Sequence, residues 1–284
     1  MFSKNIVLKT ILTFIFFSSN FLFSLNHNLA FRRQKTYAYS ELYIGKNRVI
    51  VSADYEEMSQ TACQMLMARV HQLAKEKEEV ILGLPTGNTP KRLYELLRMR
   101  YKDDPVWKKV ILIQLDEYVE VDPNSLLSFR HELEEQLLRH IPFKRFVGIV
   151  GGASDIEEER VRYAREIEAL GEIDILVLGI GQNGHLAFNE PGFITENSVG
   201  VVELTPQTKE VNHVDFTHAY TLSLKTILSA KEIILLASGE KKKEILEKAI
   251  FGIVTPAVPA SFLQNHPQTT FILDHSAASD KILK

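Results

Sequence analysis

The chain has 284 residues, of which 45% are hydrophobic and 24% charged, and its formal net charge is −3. These are the values of an ordinary globular protein, and they exclude a disordered, fibrous or generally basic nucleic-acid-binding chain, so any anionic ligand needs a local site. The single cysteine, Cys63, excludes an intrachain disulfide and a cysteine-based zinc cluster, which leaves it a core-packing role.

In chain order, the first feature is an apolar stretch. Lys4 and Lys9 precede Ile11 to Leu25 (ILTFIFFSSNFLFSL), and Arg32 and Arg33 follow it. The pattern is that of a signal peptide or short membrane anchor, although no convincing small-x-small cleavage site follows. Residues 1–35 are therefore set aside as a hydrophobic extension, and residues 45–284 are expected to form one domain. About 240 residues suffice for a single α/β core.

A helical pattern covers Tyr55 to Glu76. Val80 to Leu84 (VILGL) then leads into PTGNTP and a helical stretch, Lys91 to Met99. Val110 to Leu115 (VILIQL) leads into Asp116, Glu117 and Tyr118. A mixed-charge stretch from Asp155 to Arg165 reads as a solvated helix, with Ser154 and Glu157 forming a capping box. Ile173 to Leu178 delivers the glycine-rich loop Gly179 to Gly192 (GIGQNGHLAFNEPG). Finally, Ile233 to Ala237 (IILLA) leads into SGEKK and a helix reaching Phe251. Short, continuous apolar runs alternating with helices predict a parallel α/β sheet buried on both faces. Ligands of such sheets bind at the carboxyl ends of the strands, where all four polar segments fall.

The loop after Ile173 to Leu178 presents His185 and, five residues on, Glu190, which is a proton-transfer pair or else a hydrogen-bonded turn. In PTGNTP, Thr86, Gly87, Asn88 and Thr89 offer hydroxyls and amides, and Pro90 is suited to open a helix, so the loop is either an anion site or a capped turn. It matches neither the Walker nor the dinucleotide fingerprint. Lys242, near another helix start, reads as a charge for the same anion or as a solvated surface lysine. Asp116 or Glu117 at a strand end is a candidate base, or alternatively a cap. The His185 to Glu190 spacing lacks the helical geometry of a zinc site, so no metal is expected. No GxSxG elbow indicates a serine hydrolase.

Three of these motifs, GLPTGNTP at Gly83 to Pro90, LDEYV at Leu115 to Val119 and GIGQNGHLAFNEPG, resemble the glucosamine-6-phosphate deaminase (isomerase) family in order and spacing. The resemblance continues through ASGEKK (Ala237 to Lys242) and TPAVPASFLQNH (Thr255 to His266), and covers Val49 to Asp274. AFNEP separates this branch from the related 6-phosphogluconolactonases, which typically continue as TASLFP. TPAVPASFL is also similar to galactosamine-6-phosphate deaminases, which leaves the sugar epimer open.

The resemblance implies an α/β, Rossmann-like three-layer sandwich with a mostly parallel central sheet. It implies an enzyme that opens the ring of an amino-sugar 6-phosphate, enolises it, and releases ammonia and a ketose 6-phosphate, without cofactor or metal. His185 corresponds to the ring-opening acid/base, with Glu190 and Asn183 as partners, and Asp116 to the base at C2. Thr86, Gly87, Asn88 and Lys242 correspond to phosphate-holding positions. Many members carry Asp where this chain has Asn183, and an amide cannot stabilise a charged imidazole as a carboxylate would. Asn197 to Gly200 replace the basic loop of allosteric members, and an expected phosphate-binding arginine falls near Val214. Activation by an acetylated sugar phosphate is therefore not expected. The expected partner is a small sugar phosphate and not nucleic acid, with a homo-oligomer left open and a membrane relevant only if the apolar extension is retained as an anchor. Such chemistry implies a cytoplasmic catalytic domain, and the signal-like extension leaves export open. A lactonase, or a non-catalytic sugar-phosphate sensor that would bring a helix-turn-helix segment, are the alternatives.

Overall fold

A computed structural model describes residues 39–284. The apolar stretch read as a signal or anchor lies outside the described residues. Among the described residues no helix is long and apolar enough to cross a membrane. The strands are β1 (Tyr39–Ile44), β2 (Asn47–Ser52), β3 (Val80–Leu84), β4 (Val110–Gln114), β5 (Asp116–Tyr118), β6 (Arg145–Val147), β7 (Ile175–Leu178), β8 (Val199–Glu203), β9 (His218–Leu222), β10 (Glu232–Ala237) and β11 (Thr269–Asp274). The helices are α1 (Tyr55–Glu76), α2 (Lys91–Tyr101), α3 (Phe129–Leu133), α4 (Ile156–Leu170), α5 (Pro206–Asn212), α6 (Leu224–Leu228), α7 (Lys243–Phe251) and α8 (Asp280–Leu283).

Eight strands form one sheet in the order β1-β2-β11-β10-β7-β3-β4-β6, parallel throughout except for the antiparallel β1–β2 hairpin at one edge. Alternation along the strands splits the core. Leu82, Leu112, Val177 and Leu236 join Met58, Leu66, Leu93 and Leu97 of α1 and α2 on one face. Ile81, Ile111, Leu178 and Leu235 join Tyr163 and Ile167 of α4 and Leu246 and Ile250 of α7 on the other. The result is the three-layer, mostly parallel α/β sandwich that the apolar runs predict. Cys63 is fully buried in α1, and burial pushes its thiol up to about 12, so it packs rather than reacts.

The sheet also fixes where a ligand can sit. From β3 the chain moves outward through β4 to β6, whereas from β7 it moves the other way through β10 to β11. The loops leaving β3 and β7 therefore diverge, opening a crevice between them at the carboxyl ends of the strands.

Two local features differ from the sequence reading. The cap of α4 is Asp155, whose side chain accepts from the Glu158 amide, and not Ser154: the extended backbone at Asp155 aims the shorter carboxylate at the helix's free amides. Nor is α4 wholly solvated, because Glu159 is buried and accepts from the Val150 amide, while Arg160 donates to the Val199 carbonyl. The second difference concerns the strand after Val110. It stops at Gln114, and Asp116–Tyr118 begins a separate antiparallel sheet, β5-β9-β8, with Asp116 opposite Thr221. That small sheet packs over Tyr118, Val121, Phe188, Val202 and Leu204 and walls one side of the crevice.

Candidate active site

A cavity of about 820 Å³ occupies the crevice, within the range expected of a small-molecule site. Its lining brings together Thr86, Gly87, Asn88, Asp116, Asn183, His185 and Lys242 from four separate strand ends. Glu190, the remaining residue singled out from sequence, lies just behind His185 and is 2% exposed.

Asp116 and Glu117 are neighbours with different surroundings. Asp116 lines the cavity, and among the described residues its carboxylate accepts no hydrogen bond. Burial, then the nearby Glu117 and Glu132 charges, pushes its pKa well above the usual aspartate value. Such a carboxylate is primed to take a proton. Glu117 instead points inward and accepts from Ser128 Oγ at 2.9 Å, the Phe129 amide at 3.0 Å and the Arg130 amide at 2.8 Å. It anchors the start of α3 to β5, so Glu117 is a cap and Asp116 is the candidate base.

The glycine loop is a tight knot. The Gly181 amide donates to the His185 carbonyl and the Gly184 amide to the Gly181 carbonyl, both at 3.0 Å. The knot leaves the His185 ring lying against Gly181, where an added Cβ would stand 2.4 Å from Nε2. His185 Nδ1 is buried without a hydrogen-bond partner, 3.6 Å from Glu190 Oε2. A small ring rotation would close that gap to a hydrogen bond. Burial alone would raise the Glu190 pKa, but His185, Thr208 and Asn183 together outweigh it and hold the carboxyl below its ordinary range. Glu190 therefore stays ionised beside the imidazole, placing a hydrogen-bond acceptor next to Nδ1.

Asn183 serves this pair differently from the sequence expectation. Its Nδ2 donates to Glu190 Oε2 at 2.7 Å, and its Oδ1 accepts from the His185 backbone amide at 3.1 Å. It orients the carboxylate and the loop, not the imidazole directly. Thr205 Oγ1 also donates to Glu190 Oε2, at 3.2 Å. Asn189 fixes the loop to the second sheet through the Leu186 and Leu222 carbonyls, each at 2.8 Å. The TPAVPASFL segment braces the knot at two points, the Ala260 amide on Gly184 and the Gly192 amide on the Pro256 carbonyl, both at 2.9 Å. Thr205 and Asn189 escaped the sequence reading. Thr205 carries a legible signal as the cap before Pro206, but its reach to Glu190 depends on the fold.

Across the cavity, Gly87 adopts φ +94, a conformation that favours glycine, at the turn before α2. Tyr55 Oη donates to the Asn88 and Thr89 carbonyls, and Tyr94 Oη to that of Pro85, so the loop is held from behind. Lys242 ends the 3₁₀ turn Glu240–Lys242 and donates to the Ile180 carbonyl. Burial lowers its pKa, and among the described residues no carboxylate pairs with it. A desolvated ammonium of this kind favours an incoming anion. Among the described residues no arginine lines the cavity. Val214, where a resembling arginine was expected, packs with Tyr118 and Leu204, while Val199 and Gly200, in place of a basic loop, form the start of β8.

The sequence profile described as glucosamine-6-phosphate isomerases/6-phosphogluconolactonase matches residues 53–272. A glucosamine-6-phosphate deaminase of Thermoanaerobacter pseudethanolicus is 40% identical over 242 residues, spanning 82% of this chain and 94% of the relative. One from Lachnoclostridium phytofermentans is 39% identical over 236 residues, spanning 79% and 98%. Among solved structures, a monomeric glucosamine-6-phosphate deaminase superposes with TM-score 0.72 at 33% identity, covering 81% of this chain and 98% of that one. The 6-phosphogluconolactonase of Trypanosoma cruzi gives TM-score 0.73 at 25% identity, covering 84% and 98%. The two branches share the architecture equally well, so the separation between them rests on sequence identity and on the site. With four-fifths of its length aligned to such relatives, this chain belongs to the glucosamine-6-phosphate isomerase/6-phosphogluconolactonase family.

Proposed function

We propose that this chain is an amino-sugar-phosphate deaminase, converting glucosamine 6-phosphate and water to fructose 6-phosphate and ammonia. The observation that carries the reading is the unbonded, buried Asp116 carboxylate in the same cavity as the His185–Glu190 pair. A lactonase needs to add water to a carbonyl; it has no carbon-bound proton to remove and no use for a base at C2. The deaminase relatives at 39–40% identity support the same branch.

The chemistry follows from the two proton-transfer groups. His185, oriented by Glu190, donates a proton to the ring oxygen and its imidazole takes up the proton that the C1 hydroxyl releases, giving the open-chain aldehyde. Asp116 then takes the C2 proton to form an enol with the amino group still on C2. Return of a proton to C1 leaves a C2 iminium, water adds there, and ammonia departs as the ketone forms. Each step moves protons between oxygen, nitrogen and carbon, and the side chains named suffice for them. Thr86, Asn88 and Lys242 hold the 6-phosphate and set its distance from Asp116, whereas Gly87, singled out from sequence as a phosphate-holding position, has its amide bonded to Glu132 and shapes the turn.

The test is ammonia release from glucosamine 6-phosphate against galactosamine 6-phosphate, with hydrolysis of 6-phosphogluconolactone measured alongside. Turnover of the lactone without ammonia release from either amino sugar would overturn the reading. Lys242→Ala should raise KM about 10- to 100-fold, the loss of roughly 1.5–3 kcal/mol in one charged hydrogen bond, while kcat changes little. Equal KM values for the two proteins in steady-state assays would remove Lys242 from the phosphate site.

A further inference from the structure

One carboxylate on the cavity wall has no part in these steps. Glu132 stands in the first turn of α3, lines the cavity, and through Oε1 accepts from the Gly87 amide at 3.1 Å. A carboxylate on an amide of an anion-binding loop needs a reason, since it repels the anion the loop would hold. The hydrogen bonds around it supply one. Glu117 in β5 holds the first residues of α3 through Ser128, Phe129 and Arg130. Glu132 lies three residues after Phe129, on the same short helix, and reaches the loop that follows β3. The Gly87 amide is thus connected through Glu132, α3 and Glu117 to the strand that carries Asp116. The other side-chain bonds on this loop, from Tyr55 and Tyr94 to backbone carbonyls and from Lys91 to Asn88 Oδ1, go to oxygens, so among the described residues Glu132 is the side chain that fixes an amide.

We infer that Glu132 is a positioning residue that ties the phosphate loop to the Asp116 strand and sets the loop's donors toward the cavity. By taking the Gly87 N–H, it fixes the φ +94 turn, and the amides of Asn88 and Thr89 and the Thr86 hydroxyl are left for the phosphate. Phosphate and base are then held at one separation, which is the condition for converting binding into orientation. This role requires an acceptor at the correct reach and not a negative charge.

Two conservative variants separate reach from charge. E132Q keeps an acceptor oxygen at the same distance and loses the charge; E132D keeps the charge but is one methylene too short. For E132D, KM for glucosamine 6-phosphate should rise at least about tenfold with kcat within about threefold of wild type, and the dissociation constant of inorganic phosphate should rise by a similar factor. For E132Q, both constants should stay within about threefold of wild type. Wild-type behaviour of E132D would overturn the inference, as would an E132Q that matches E132D or binds phosphate more tightly than wild type, the last being the mark of a competitor. The inference rests on the deaminase reading for its choice of substrate. Absence of wild-type ammonia release would count against that reading, whereas calorimetry with inorganic phosphate judges Glu132 independently.

Discussion

Asp116→Asn is expected to lower kcat for ammonia release by about 10²- to 10⁴-fold, the usual worth of a positioned general base, while KM stays near the wild-type value. The substitution is nearly isosteric, and among the described residues the Asp116 carboxylate has no hydrogen-bond partner to lose, so the fold should be unaffected. Turnover of the wild type in deuterated water should place solvent deuterium at C1 of the ketose, reduced by whatever fraction of the C2 proton is carried internally. A lactonase would leave every carbon-bound hydrogen in place. The pH dependence has a definite sign. Asp116 acts when ionised, and burial together with Glu117 and Glu132 raises its pKa. Activity should therefore fall on acidification at a pH above the ordinary aspartate range, and this limb should be missing from the residual activity of Asp116→Asn. Near-normal ammonia release by that variant would sink the assigned base.

The parts of this architecture that the sequence made legible were those with local causes. Val80–Leu84 and the runs at Val110, Ile173 and Ile233 are continuous and apolar because both sheet faces are covered, so their pattern announces a central parallel strand. One of those runs hides a charge: Asp174 is fully buried, held by Lys77 and Lys231, and tolerated in an apolar run because both lysines reach it. The second sheet was not legible. β5 has three residues, two of them acidic, and exists only because β9, a hundred residues later, pairs with it. No local pattern encodes that partner. The site divides in the same way. Asp116, His185, Glu190 and the Thr86 to Asn88 loop stand at strand ends, where position alone suggests chemistry. Glu132 sits among Arg130, His131, Glu134 and Glu135 in a charged stretch with no local signal of chemistry, and only the docking of α3 turns it to the cavity. Asn183 was recognised, but its bond to Glu190 instead of the imidazole depends on the knot around Gly181, which spacing does not reveal.

That knot gives the other large expected effect. Gly181→Ala should lower kcat by about 10²-fold or more while the protein stays folded. An ideal Cβ at Gly181 would lie 2.4 Å from His185 Nε2 and 2.5 Å from Cδ2 and Cε1, inside any tolerable contact. The backbone cannot retreat, because the Gly181 amide and carbonyl are both bonded within the loop, to His185 and Gly184. Gly181 has no positive φ, so alanine meets no conformational penalty there, and the conflict is one of space alone. The ring is what can give way, since His185 is 19% exposed and has the cavity to swing into. A ring displaced toward the cavity leaves Glu190 behind, losing both its orientation and the carboxylate acceptor beside Nδ1. Overpacking should cost stability only about 1–3 kcal/mol, readable as a modest shift in thermal midpoint. Ring opening should suffer most, so an acyclic amino-alditol 6-phosphate, which needs no opening, should bind the variant within about threefold of wild type if only His185 has moved. A Gly181→Ala protein with near-wild-type kcat would show that the His185 ring is not held against Gly181, and that its place beside Glu190 does not depend on the missing side chain.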